Sequence, residues 1–149
     1  MACDCKNEEE RRECMNPLKI VIPGPLPGLN EYVKANRANP HTGSRMSRTA
    51  HEICKTGMIK YNGRHIKRGR FIFSWYEKNQ RRDKDNIAFA KKFILDALQE
   101  MKILKNDGWA EVAGFEDRFY VDKHNPRVEV EIYEEGNEDD EAEQKGTKD

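Results

Sequence analysis

From Ile87 to Met101 the apolar residues recur at one helical spacing. Ile87, Ala90, Ile94, Ala97, Leu98 and Met101 form a single stripe, with charged residues on the opposite side. Such a helix buries one face only, so it needs an apolar surface to lie on. Four short runs can supply it: Leu18 to Pro23, Phe71 to Tyr76, Phe115 to Val121 and Val128 to Tyr133, each rich in β-branched or aromatic residues. In the first, Ile20, Val21 and Ile22 read as a buried run. Asp85 or Asn86 stands where the N-cap of the main helix belongs. A second helix is predicted from Ser47 or Thr49 to Tyr61, stopped by Asn62-Gly63. Pro23, Gly24, Pro25, Pro27 and Gly28 force an irregular loop, and the polar residues 34–47 are predicted to cross the surface. Asn125-Pro126 turns between the last two strands, which are predicted to pair as a hairpin. The order is β-α-β-α-β-β: one small α+β domain, with a mixed four-stranded sheet and two main helices.

A chain of 149 residues holds one domain with a modest core. Apolar and charged residues each make up 36%, which implies a thin core that a partner subunit would help complete. No run of about 18 apolar residues occurs, so no membrane span is expected. The opening residues carry Asp4, Lys6, Glu8, Glu9, Glu10, Arg11 and Arg12 and do not read as a signal peptide, so a cytoplasmic protein is expected. Cys3, Cys5, Cys14 and Cys54 lack a structural zinc spacing and read as free thiols. His41, His51, His65 and His124 are scattered, with no metal spacing. No Ser–His–Asp arrangement or Gly-rich phosphate motif is present, and no small-molecule cofactor is expected.

The net charge of zero conceals a partition. Residues 1–15, read as a flexible arm, hold five acids and three bases. Residues 134–149, read as a disordered tail, hold eight acids and two bases. The domain between them, 16–133, therefore holds 14 acids and 22 bases, a net +8. A basic body between acidic ends points to a polyanionic partner. Arg45, Arg48, Lys55, Lys60, Arg64, Lys67, Arg68 and Arg70 crowd a stretch whose one acid is Glu52. This is the candidate phosphate-tracking surface, against the plain alternative of a solvated helix and loop. Trp75 reads as core, whereas Trp109 follows a turn and is the more exposed of the two.

The acids inside this body call for explanation. Asp83-Lys84-Asp85-Asn86 lies between a strand and the main helix, flanked by Arg81 and Arg82. If the backbone is extended there, Asp83 and Asp85 project to one side. Asp107 lies past the far end of a 15-residue helix, about 22 Å long, and must fold back to join them. Two readings stay open. In one, Asp85 caps a helix, Asp107 makes a turn and Asp83 is a surface charge. In the other the carboxylates hold Mg²⁺, which prefers oxygen ligands and bridges acids to phosphate. Lys92, two turns after Asp85, would then meet the scissile phosphate; its alternative is an ordinary ion pair with Asp96.

The ordered set Arg82-Asp83-Lys84-Asp85-Asn86, a helix bearing Lys92 and Asp96-Ala97-Leu98, and then Asn106-Asp107 resembles the RusA family of Holliday-junction resolvases. The opening strand, the Pro23 to Pro27 turn and Asn30 resemble that family as well. The resemblance spans about residues 17–133. It implies a homodimeric, Mg²⁺-dependent endonuclease, of a kind often encoded by phages and prophages, that nicks four-way junctions symmetrically. It also implies Asp83, Asp85 and Asp107 as metal ligands, Lys92 as the active-site lysine, and Arg82 as a basic neighbour of the first aspartate. Arg81, Lys84, Arg64, Lys67, Arg68 and Arg70 complete the expected DNA contacts. The chain departs from the family in two places. The helix carries about one extra turn before Asp96, which leaves Lys91 as the rival lysine, and Asn106 stands where a second acid can occur. A non-catalytic DNA-binding module and a flap or fork nuclease are the alternative functions.

Overall fold

In the computed structural model, which describes residues 17–135, the first apolar run is a one-sided strand. β1 (Leu18–Pro23) buries Leu18, Ile20 and Ile22 and exposes Lys19, Val21 and Pro23. The expected three-residue buried run is therefore an alternation, because one face only of this strand is covered. The expected arm 1–15 and the tail from 136 onward lie outside the described residues, as do Cys3, Cys5 and Cys14.

Two helices follow where one was predicted. α1 (Leu29–Ala38) and α2 (Pro40–Thr56) meet at Asn39 alone. Its extended backbone breaks the helix, its side chain accepts the His41 N–H at 2.9 Å, and Pro40 starts α2 where its missing N–H costs nothing. Residues 34–47 are thus helical and not an irregular crossing. The two helices approach closely: a Cβ at Gly43 would lie 1.6 Å from Asn36 Oδ1. A short 3₁₀ turn, Ile59–Tyr61, ends the segment.

β2 (Gly69–Glu77) is the most buried strand, with Phe71, Phe73 and Trp75 in the core. The predicted main helix is divided into α3 (Lys84–Ala88) and α4 (Lys91–Glu100). At the break, Lys92 and Phe93 donate to carbonyls only three residues back, Phe89 and Ala90. The N-cap of α3 is Asp83, not Asp85 or Asn86. The stripe is otherwise as read: Ile87, Ala90, Ile94, Ala97 and Leu98 are buried, and Phe93 joins them. α4 ends on Lys102, whose φ of 61° lets the Ile103 and Leu104 N–H groups close back on Leu98 O.

β3 (Val112–Val121) and β4 (Arg127–Glu134) do not form the expected hairpin. The sheet order is β1-β4-β2-β3. β3 runs parallel to β2 on its outer side, while β4 lies antiparallel between β1 and β2. The physical reason is the α3–α4 crossover, which returns the chain to the start of β2 and so makes the next strand parallel. β4, with Val128, Val130 and Ile132 all buried, fills the central slot. The architecture is α+β with a mixed four-stranded sheet. Helix residues pack on the face made by Leu18, Ile20, Ile22, Phe71, Phe73, Trp75, Val128, Val130 and Ile132. No helix among the described residues is long and apolar enough to cross a membrane.

Candidate active site

Glu77, the last residue of β2, is buried and needs a counter-ion. Arg82 supplies it through a two-pronged contact: Nε donates to Glu77 Oε1 and Nη2 to Glu77 Oε2, both at 2.9 Å. Its Nη1 donates to Leu26 O and to Glu31 Oε1, both at 3.0 Å. Burial opposes its charge, but Glu77 and Glu31 more than offset this and hold the guanidinium pKa above its ordinary value. One side chain thus ties the end of β2 to the Pro-rich loop and to α1.

Four residues on, Asn86 makes a second tie. It is buried, and its Oδ1 accepts the Asn30 N–H at 2.8 Å. Gly28 makes room for both: a Cβ there would sit 2.6 Å from Asn86 Oδ1 and 3.0 Å from Arg82 Nη1. The Pro23 to Gly28 loop is therefore a support for the segment carrying the acids.

Between these two inward ties, Asp83, Lys84 and Asp85 are all exposed. Asp83 accepts the Ile87 N–H through its backbone carbonyl at 3.0 Å, but its carboxylate makes no cap bond. Asp85 Oδ1 accepts the Asn86 N–H at 2.9 Å. Neither carboxylate has a cationic partner among the described residues. Their Cα atoms lie at most about 7 Å apart, because one residue separates them. The Lys84 ammonium lies over the Phe119 ring, 5.6 Å from its centroid.

The two lysines after the helix break differ. Lys91 turns inward: Nζ donates to Asp117 Oδ2 at 2.6 Å and lies 3.8 Å from the Phe115 ring centroid. Asp117 also accepts the Trp75 Nε1–H at 3.0 Å. Lys92 is exposed and does not pair with Asp96, which instead faces His51 Nε2 at 3.5 Å. Of the two, Lys92 is the exposed lysine.

Asp107 is not brought to Asp83 and Asp85. It lies in the turn before β3, where Val112 N–H donates to Gly108 O and Gly69, the first residue of β2, donates to Glu111 O. Asp83 lies six residues beyond the end of β2 and Asp107 five before the start of β3, so the two stand beyond opposite ends of a parallel strand pair roughly 26 Å long. The α3–α4 crossover carries the chain from one end of the sheet to the other. No cluster of three or more His, Cys, Asp or Glu suited to a metal exists among the described residues. The fit to a divalent cation is that of a two-carboxylate platform. One or two carboxylates are what a hydrated divalent cation takes where substrate phosphates supply further ligands.

Among the expected DNA contacts, Arg81, Lys84, Lys67 and Arg70 are exposed. Arg64 is exposed and pairs with Glu134 at 2.8 Å. Arg68 and Arg82 are engaged within the protein. Arg68 is buried; Nε donates to Glu135 at 2.9 Å, and Nη1 donates to the Trp109 and Ala110 carbonyls at 3.2 Å each. Like Arg82, it organises a loop and has few donors left for phosphate. Sequence reading missed Glu77, Glu31 and Asp117, and gave Asn30 and Gly28 no part in supporting the site. Asn86, Gly28 and Asn30 left a trace there, as a candidate cap, a loop residue and part of the family resemblance. Cys54 is a buried free thiol whose pKa burial pushes up to about 12, consistent with an inert core residue.

A search among curated proteins finds no match. The model of the family described as Endodeoxyribonuclease RusA matches residues 28–133. That stretch opens at Gly28 and encloses the Arg82–Glu77 and Asn86–Asn30 contacts, the two exposed carboxylates, Lys92 and Asp107. With most of its length covered, the chain belongs to the RusA endodeoxyribonuclease family.

Proposed function

We propose that this chain is a Mg²⁺-dependent endonuclease that resolves four-way DNA junctions, in recombination and repair, by paired nicks as a homodimer. One observation carries the reading. Asp83 and Asp85 are held outward, without cationic partners, by the inward ties of Arg82 and Asn86. Bare carboxylates in a body of net +8 repel the anion that the rest of the surface attracts. They make sense as ligands that a divalent cation neutralises. When bound, such a cation lowers the pKa of a coordinated water and offsets charge at the scissile phosphate. Lys92, Lys84 and Arg81 would neutralise flanking phosphate charge. Arg82 acts as a positioning residue that keeps Asp83 in place.

A dimer accounts for Asp107. In a two-fold assembly, a contact between position i and position j recurs as j with i. A second copy aligned antiparallel along the exposed edge of β3 would set its Asp107 end against this chain's Asp83–Asp85 end, and the reverse. Two composite sites would result, set apart by about the length of the sheet, facing two equivalent strands of a junction.

The test is a synthetic four-way junction with and without Mg²⁺, its products mapped on denaturing gels. Paired nicks at matching positions in opposing strands are expected only with the cation. Asp83→Asn and Asp85→Asn should each lower cutting by roughly a thousand-fold, the loss of several kcal/mol of metal-derived stabilisation, while sparing junction binding. Binding without any cutting would leave a non-catalytic module. Cutting of flaps or forks at unpaired positions would replace the resolvase reading.

A further inference from the structure

Trp109 is 97% exposed, the largest apolar side chain left uncovered among the described residues. Floppiness does not explain this, because its loop is pinned. Arg68 Nη1 holds the Trp109 and Ala110 carbonyls, Gly69 N–H holds Glu111 O, and Val112 N–H holds Gly108 O. The indole is presented on a fixed support, two residues from Asp107. Its setting is charged and not apolar: Asp107 and Glu111 share the loop, and cations flank it. The Ile66–Leu104 bridge aligns the segments that carry Lys67 and Lys105, both exposed, and Lys102 and Arg70 are exposed nearby in the chain. The loop's other residues, Gly108, Ala110 and Glu111, give no apolar patch for a protein to dock on.

An exposed aromatic ring on a fixed support, with cations within reach, is what an unstacked nucleic-acid base requires, the ring taking the base face and the cations the backbone. We infer that Trp109 stacks on a base exposed at the branch point of the junction and so discriminates branched DNA from duplex. Continuous duplex offers no free base face, whereas strands that part at a crossover do. This inference rests on the junction-nuclease reading.

Trp75, the other tryptophan, is 1% exposed, so quenching of intrinsic fluorescence by acrylamide reports Trp109. The full-length Asp83→Asn protein is first shown by gel shift to bind a four-way junction. On saturation, the quenching slope should fall several-fold, and far less with linear duplex of equal length. Trp109→Ala should weaken junction binding roughly 5- to 150-fold, the loss of one stacked base, and leave duplex binding unchanged. Trp109→Phe should restore most of it. An unchanged slope in a saturated junction complex overturns the inference and leaves the nuclease reading standing. A slope that falls with protein concentration alone also overturns it, since a second copy then covers the ring. Failure to bind any junction overturns the nuclease reading, and this inference with it.

Discussion

At the scale of single residues, the candidate site is two outward carboxylates between two inward ties, and the ties are the testable part. Asn86→Ala leaves the Asn30 N–H without its acceptor, so stability should fall by about 1–3 kcal/mol, read from urea unfolding. Nicking should fall as well, because the Asp85 backbone loses its anchor. Arg82→Ala strands Glu77 beside the core and should cost about 3 kcal/mol, with Arg82→Lys recovering only part because it lacks the planar fork. If either variant unfolds like the wild type, these side chains do not position the site. The acids themselves stand out in the sequence, since carboxylates inside a basic run are conspicuous. Their supports were not. Arg82 reads as one more cation among Arg81 and Lys84, and nothing in spacing shows that Glu77 and Glu31 face it from other segments.

At the scale of elements, α4 stops without a glycine. Lys102 takes the left-handed conformation, which costs a side-chain-bearing residue about 1–2 kcal/mol, while glycine loses only part of that advantage through its unfolded-state freedom. Lys102→Gly should therefore stabilise the protein by about 0.5–1 kcal/mol in thermal or urea unfolding; no gain would mean that the Lys102 backbone is not strained. Elements were legible where periodicity was strong, as in the Ile87 to Met101 stripe, although Phe89–Ala90 divides it. α1 and the first half of α2 were hidden because their buried residues are Ala35 and Gly43, too small to register as an apolar stripe. The β3–β4 hairpin was misread because a turn signal shows that the chain reverses, not which strand it then pairs with.

At the scale of the whole molecule, the separation of Asp83 from Asp107 makes a mixing experiment decisive. Asp83→Asn and Asp107→Asn proteins, each inactive alone, should regain nicking when mixed, because each mixed dimer then holds one site with all of its acids. No recovery, with light scattering showing mixed dimers, would place Asp107 outside the site. Charge gives a second test. Residues 136–149 carry six acids and two bases and continue from Glu135, which is bonded to Arg68 below the Trp109 loop. A chain ending at Glu135 should bind junctions more tightly at low salt, with the gain fading as salt rises. Equal affinities at low salt would exclude competition by these residues.

The place of β4 in the sheet also bears on how the protein is made. During synthesis β1, β2 and β3 all leave the ribosome before the strand that joins β1 to β2. Until residue 134 has emerged, two apolar edges are held apart with nothing between them, and the pairing of Leu18 with Ile132 closes almost the full length of the domain. Such long-range closure is slow. The nascent chain should therefore depend on holding chaperones until its final strand is free, and ribosome-bound chains arrested before β4 should be protease-sensitive throughout.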